Sequence, residues 1–122
     1  MLFYRIMRFT YSLKSNPDFR KVYKNGKSRA NKYLVMYVLK NDVKSEDGVS
    51  VNRLGISVSK KVGNSVVRHR VKRLIKESYR LNEEMFNSGL DIVVIARDNA
   101  KVACFGEMQS ALLHVSRLLH II

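Results

Sequence analysis

The chain has 122 residues and carries 23 Lys plus Arg against 10 Asp plus Glu, a formal charge of +13 at pH 7. A hydrophobic fraction of 46%, with one Pro and six Gly, is enough to build a core and too much for a disordered basic tail. The length fits a single domain over residues 1–122, and the longest apolar runs, 33–39 and 92–96, fall far short of the roughly 18 residues that mark a membrane span.

The opening stretch has charges at Arg5 and Arg8 and no apolar core of signal-peptide length, which predicts a chain retained in the cytoplasm. Residues 15–18, Ser-Asn-Pro-Asp, read as a helix start, with Asn16 as N-cap, Pro17 where no N–H is missed, and Asp18 favourable to the dipole. Gly26 ends that helix. Between them Phe19, Val22 and Tyr23 fall on one face, with Arg20, Lys21 and Lys24 on the others.

Residues 33–40 are β-branched and aromatic with both alternate sets apolar, the pattern of a strand covered on both faces. Tyr33, Val35, Tyr37 and Leu39 share one of those faces. The polar stretch 41–52 is expected to connect two antiparallel strands. Leu54, Ile56 and Val58 then alternate with Gly55, Ser57 and Ser59, a second strand whose small-residue face invites close approach by another group. After Gly63-Asn64-Ser65 a helical stripe of Val67, Val71, Leu74, Ile75 and Ser78 runs to about Arg80. Residues 91–96 read as a buried strand, and Phe105, Met108, Leu112, Val115 and Leu119 as a closing amphipathic helix. The single Cys104 has no partner for a disulfide or a zinc ligand set and is expected to serve as a small buried apolar group.

The order helix, strand, strand, helix, strand, helix argues an α+β or α/β fold around one sheet. The basic excess is concentrated, with ten basic residues against one acid in 1–40 and eight against one in 60–80. Self-repulsion of that size opposes compaction, so a polyanion is the natural partner, a nucleic acid first. A membrane surface would instead favour a basic amphipathic helix with exposed bulky apolar groups.

On the fourth predicted element the apolar stripe occupies about 100° of arc and the rest is basic. Arg68, Lys72, Lys76 and Arg80 descend at i+4 steps, His69, Arg70 and Arg73 fill the other side, and Glu77 is the only acid in reach. Solvated helix faces mix signs; this one does not. Lys60 and Lys61 precede it, and Asn64 at its start reads equally as part of a phosphate site or as a plain N-cap. Composition does not choose between DNA and RNA.

The run from Lys60 to Leu74, Lys-Lys-Val-Gly-Asn-Ser-Val-Val-Arg-His-Arg-Val-Lys-Arg-Leu, resembles the signature of the bacterial ribonuclease P protein component. The resemblance extends to residues 16–26, to Ala30-Asn31, to residues 54–59 and to Ile95-Ala96-Arg97. It implies the small protein subunit of a ribonucleoprotein that removes 5′ leaders from precursor tRNA, with catalysis by the RNA and its magnesium ions, no catalytic or metal-binding residue on the protein, and no DNA or membrane partner. The family's Arg-Asn-Arg motif is matched by Arg68, His69 and Arg70. A histidine ring can donate a hydrogen bond, but it does not present an amide's donor and acceptor together at the same reach.

By resemblance Lys60, Lys61, Asn64, Arg68, His69, Arg70, Lys72, Arg73 and Lys76 meet the catalytic RNA, and Phe19, Tyr23 and Tyr37 line a cleft for the single-stranded leader. Aromatics at i and i+4 facing a strand Tyr suit base stacking; all three are equally compatible with a core. The implied fold is a single α+β sandwich of three helices on a mainly antiparallel sheet of about four strands, with a left-handed βαβ crossover. Either residues 27–30 or the edge near 49–51 supplies the fourth strand. The family's usual start makes Met7 a candidate first residue and residues 1–8 an extra N-terminal segment. A stand-alone nuclease would need a carboxylate cluster or a His pair, and neither Asp91 and Asp98 nor His69, His114 and His120 have that spacing. A ribosomal or generic RNA-binding protein remains the alternative.

Overall fold

The computed structural model describes residues 8–122; of the expected extra segment 1–8, all but Arg8 lies outside the described residues. In chain order the elements are β1 (Thr10–Ser12), α1 (Asn16–Asn25), β2 (Lys27–Ala30), β3 (Leu34–Lys40), β4 (Asn52–Ser57), α2 (Ser65–Leu81), β5 (Leu90–Ala96) and α3 (Phe105–Leu118). Short 3-10 turns at Glu83–Met85 and Asp98–Val102 flank β5.

The strands form one five-stranded sheet in the order β1-β4-β5-β3-β2. β1, β4 and β5 run parallel, and β3 is antiparallel to both β5 and β2. The expected mainly antiparallel four-stranded sheet is therefore a mixed one of five, and residues 27–30 supply the strand left open. Residues 49–51 contribute only an isolated bridge between Lys44 and Ser50. The stretch 41–52 does join strands of opposite direction, β3 and β4, but β5 inserts between them. The physical reason is burial. β5 has six of its seven residues buried and belongs in the middle, flanked on both edges.

The two faces of the sheet are filled unequally. Leu34, Met36, Val38, Ile92 and Val94 point toward α2 and α3 and join the main core with Val71, Ile75, Tyr79, Met108 and Leu112. On the other face α1 covers a small cluster of Leu13, Val22 and Val93, against which Phe19, Tyr37, Leu39 and Ile95 are only partly buried.

The hand of the β4-α2-β5 crossover follows from L-chirality. With a strand running upward and a side chain toward the viewer, that residue's N–H and C=O point right. Gly55 faces α1, beneath Phe19, and Val93 joins the cluster on the same side. Asn52 N–H donates to Phe9 and Leu54 C=O accepts from Leu13, so the even residues of β4 turn to β1 and Gly55 turns to β5. Arg97 N–H donates to the Tyr33 carbonyl, so the odd residues of β5 turn to β3. Seen from α1, β5 thus lies right of β4 with α2 behind the sheet. That crossover is left-handed, as the resemblance implied and against the hand of about 98% of such units.

Local chemistry sets the element ends. Ser15, not Asn16, caps α1: its hydroxyl accepts from Asp18 N–H at 3.2 Å, and Asn16 and Pro17 become the first helical positions. A Cβ at Gly26 would sit 2.6 Å from the Val22 carbonyl oxygen and 2.8 Å from that of Val38, so the exit from α1 into β2 needs Gly. Cys104 is exposed rather than buried, because it stands at the N-terminus of α3, where its own N–H donates to Glu107 at 2.9 Å. At the far end of α3, His120 takes the left-handed conformation at φ 58°, with the Ile121 N–H bonded back to Ser116 and that of His120 to Arg117.

The edge strand β1 is held by a buried carboxylate. Glu83 accepts from the N–H groups of Arg8 and Phe9 at 2.7 and 3.0 Å and from the Thr10 hydroxyl at 2.6 Å. Thr10 also hydrogen-bonds the Tyr79 hydroxyl at 2.7 Å, and burial raises the Tyr79 phenol above its ordinary pKa.

Candidate nucleic-acid interface

The basic helix is α2. Its N-cap Asn64 accepts from Val67 N–H at 3.0 Å, which makes that side chain a cap. The apolar stripe turns inward as expected and extends to Tyr79, fully buried. On the remaining arc His69, Lys72, Arg73 and Lys76 are exposed and Arg68 half-buried, while Lys60 and Lys61 are exposed in the preceding turn.

The acid available to this helix is already used. Glu77 pairs with Arg80, and that hydrogen bond is the main cause holding its carboxyl below the ordinary range. Among the described residues Lys60, Lys61, Arg68, Lys72, Arg73 and Lys76 form no ion pair. The Arg68 Nε is also shielded with no hydrogen-bond partner among the described residues. Six uncompensated cations, four on the helix and two in the turn before it, create a local positive potential that favours a polyanion.

Arg70 stands apart from the other basic positions. Its guanidinium donates to the carbonyls of Lys101 and Ala103 at 3.1 and 2.8 Å, tying α2 to the turn before α3. Its first work is structural, a use that residue type and spacing do not reveal.

The second surface lies across the sheet. Phe19 and Tyr23 project from α1, and their ring centroids are 6.2 Å apart. Tyr37, on the α1 face of β3, meets Tyr23 edge-on at 5.1 Å and 77°. The three predicted aromatics are therefore one contiguous row. Phe19 forms its floor, since a Cβ on Gly55 would come within 2.5 Å of the Phe19 ring. The small-residue face of β4 thus receives Phe19. Tyr23 remains 38% exposed, and burial, then the neighbouring Tyr37, pushes its phenol above the ordinary value, so it stays protonated at neutral pH. Asn16, Arg20, Ile56 and Ser57 complete a shallow cleft with Phe19 and Tyr23.

An ion-pair chain that the sequence did not reveal fixes α1 over the sheet. Arg53 on β4 grips Asp91 with two hydrogen bonds of 2.8 and 2.7 Å and reaches Asp18, in the first turn of α1, at 3.2 Å. Asp91 is nearly fully buried and also accepts from Asn41 at 2.8 Å. The hydrogen bonding that Arg53 donates to Asp91 is the main cause raising the Arg53 pKa. Asp18 and Asp91 are thereby committed to a cation. His114 is likewise placed beside Asn31, 3.2 Å away, on the surface of α3. Among the described residues no three His, Cys, Asp or Glu side chains converge as a metal site would require, and no helix is long and apolar enough to cross a membrane.

Known proteins of one family match this chain in sequence and in fold. A family model described as Ribonuclease P matches residues 7–120. The ribonuclease P protein component of Lachnoclostridium phytofermentans is 62% identical over 111 residues, 91% of this chain and 90% of that one. That of Alkaliphilus metalliredigens is 52% identical over 116 residues, covering 95% and 99%. Among solved structures, the ribonuclease P protein of Staphylococcus aureus superposes with a TM-score of 0.80 at 39% identity, covering 91% of this chain and 96% of that one. The Thermotoga maritima protein does so at 0.75 and 33%, covering 87% and 96%.

Proposed function

The chain belongs to the ribonuclease P protein family and acts in tRNA 5′ maturation as a ribonuclease P subunit; from that premise we propose that its two surfaces divide the work between two RNAs. The basic side of α2, through Arg68, His69 and Arg73 with Lys60 and Lys61 ahead of it, binds the catalytic RNA. Asn64 caps the helix and helps present its N-terminus, while Arg70 keeps it braced against the turn before α3. The row of Phe19, Tyr23 and Tyr37 binds the single-stranded 5′ leader of precursor tRNA, with Arg20 at its rim.

What supports this reading is the separation of chemistries. The uncompensated cations stand on one helix, where phosphates are neutralised whatever their sequence. The partly exposed aromatics stand on the opposite face of the sheet, where unstacked bases find a platform worth about 1–3 kcal/mol each. Hydrolysis itself belongs to the RNA and the magnesium ions it holds. The carboxylates nearest the cleft are already paired with Arg53 and do not fit a metal on the protein. The chain's own contribution is to hold the leader and neutralise backbone charge, which lowers the magnesium needed to bring two RNAs together.

The test is cleavage of a 5′-extended precursor tRNA at low magnesium by the protein, by a bacterial ribonuclease P RNA, and by both. Activity chiefly in the mixture is the expected result. Activity of the protein alone overturns the assignment of catalysis to RNA.

A further inference from the structure

We infer that the leader cleft does not end at Phe19 but continues around the open edge of β4 into a basic groove formed by Tyr11, Lys14, Ile56, Lys72 and Lys76, which holds further single-stranded leader. The inference rests on the aromatic row being the leader's site and adds the path that the strand takes beyond it.

Three observations place that path. Ile56 lines both the aromatic cleft and a second recess walled by Tyr11 and Lys14 on one side and by Lys72 and Lys76 on the other, so the two depressions meet at one residue. The sheet edge is open there. β1 pairs with β4 only from Asn52 to Leu54, and the last bond between them is Leu13 N–H to the Leu54 carbonyl. The alternation that sends Asn52 and Leu54 toward β1 turns the Ile56 N–H and C=O outward past its end, and among the described residues no backbone group bonds to them. An unpaired donor and acceptor at a sheet edge recruit an external partner.

The groove's chemistry selects what that partner is. Its lining contains three lysines and no acid, and none of the three forms an ion pair among the described residues. Tyr11 is 50% exposed, a large aromatic surface beside those cations. Aromatic faces for bases next to ammonium groups for phosphates, strung along a groove, suit a flexible single strand. At about 260 Å³ the recess is below the roughly 300–1,000 Å³ of small-molecule pockets. A duplex presents its bases stacked and unavailable to Tyr11, whereas a strand leaving the aromatic cleft arrives unstacked. The basic helix is thereby divided lengthwise: Lys72 and Lys76 face the sheet edge and the leader, while His69 and Arg73 face away toward the catalytic RNA.

The experiment is a leader-length series. Holoenzyme reconstituted with the catalytic RNA is titrated with mature tRNA and with precursors whose leaders grow from about one to about a dozen nucleotides, using Tyr11→Ala, Lys76→Ala and, as the cleft reference, Tyr37→Ala. Thermal melting checks that each variant is folded. Tyr11→Ala is expected to weaken binding about 5- to 150-fold, and Lys76→Ala to lower the log–log salt slope by about 0.7. Both losses are to be absent with mature tRNA and to set in at a leader length different from that at which Tyr37→Ala takes effect. Leader dependence at Tyr37 with none at Tyr11 and Lys76 overturns the groove alone. No leader dependence at any of the three overturns the cleft as well. Equal losses from Tyr11→Ala and Lys76→Ala at every length, mature tRNA included, give the groove to the catalytic RNA.

Discussion

One sheet carries two faces built to different standards. The face under α2 and α3 is closed: Leu34, Met36, Ile92, Val94, Ile75, Tyr79, Met108 and Leu112 are all completely buried. The face under α1 is covered, among the described residues, by one helix, and Phe19, Tyr23 and Tyr37 are left partly open. Apolar surface withheld from a core costs stability, at roughly 25 cal/mol per Å². The proposed leader site is built on this open aromatic surface. The closed face, in turn, is what lets α2 present a side so dense in positive charge.

The comparison breaks first if the open face is only a poorly filled core. Arg53→Ala leaves the buried Asp91 carboxylate with Asn41 as its remaining partner and frees the first turn of α1. A loss of about 2–3 kcal/mol in urea unfolding is expected, less than a fully buried pair would give because Arg53 is part exposed. Precursor discrimination should fall with it, since α1 carries the cleft. Gly55→Ala drives a methyl into the Phe19 ring and should cost about 1–3 kcal/mol. It should also lift the cleft floor, so that precursor affinity drops while affinity for the catalytic RNA is kept.

Two further substitutions sharpen the division between the faces. Tyr23→Ala should weaken precursor tRNA by up to about 1–3 kcal/mol and leave mature tRNA unchanged. Arg73→Ala should do the reverse in kind. It should weaken the catalytic RNA with a salt slope lowered by about 0.7–0.9 and leave the ratio of precursor to mature affinity intact. Filter binding across a salt series separates the two patterns.

The smallest expected effect concerns acid. Glu107 is held below the ordinary carboxylate range, chiefly by the Cys104 N–H, and Glu77 by Arg80. A carboxyl with a depressed folded-state pKa stabilises the fold above its unfolded pKa, and that stability is lost as pH falls through the folded value. Urea midpoints followed from about pH 6 to about pH 3 should decline less steeply in Glu107→Gln than in the parent, because the substituted side chain no longer titrates.

Much of the closed face was legible because burial imposes periodicity. The 3.6-residue stripes of α2 and α3 and the apolar runs of β3 and β5 appear where they were expected. The edges were not legible in the same way. β1 is Thr-Tyr-Ser and β2 is Lys-Ser-Arg-Ala; backbone pairing and the Glu83 anchor define β1, and no side-chain pattern does. The position of β5 between β3 and β4 is a long-range choice that local spacing does not encode. Cys104 was misread because a helix N-terminus exposes it. Arg70 and Arg53 carry charges that composition counts as surface, while their guanidinium groups are spent inside the molecule. The aromatic row was visible as spacing on α1, and the small residues of β4 foretold a close approach; that Phe19 makes it required the fold.

The central claim is that the open face reads the leader, while the side of the basic helix that carries Arg73 does not discriminate. The most direct test is the affinity of holoenzyme for precursor and for mature tRNA, measured side by side for the parent, Tyr37→Ala and Arg73→Ala. The account predicts that Tyr37→Ala collapses the precursor-to-mature ratio, while Arg73→Ala preserves it and weakens assembly with the catalytic RNA. A Tyr37→Ala protein that loses both tRNAs equally, or that loses only melting temperature, would place the aromatic row in the core and contradict it.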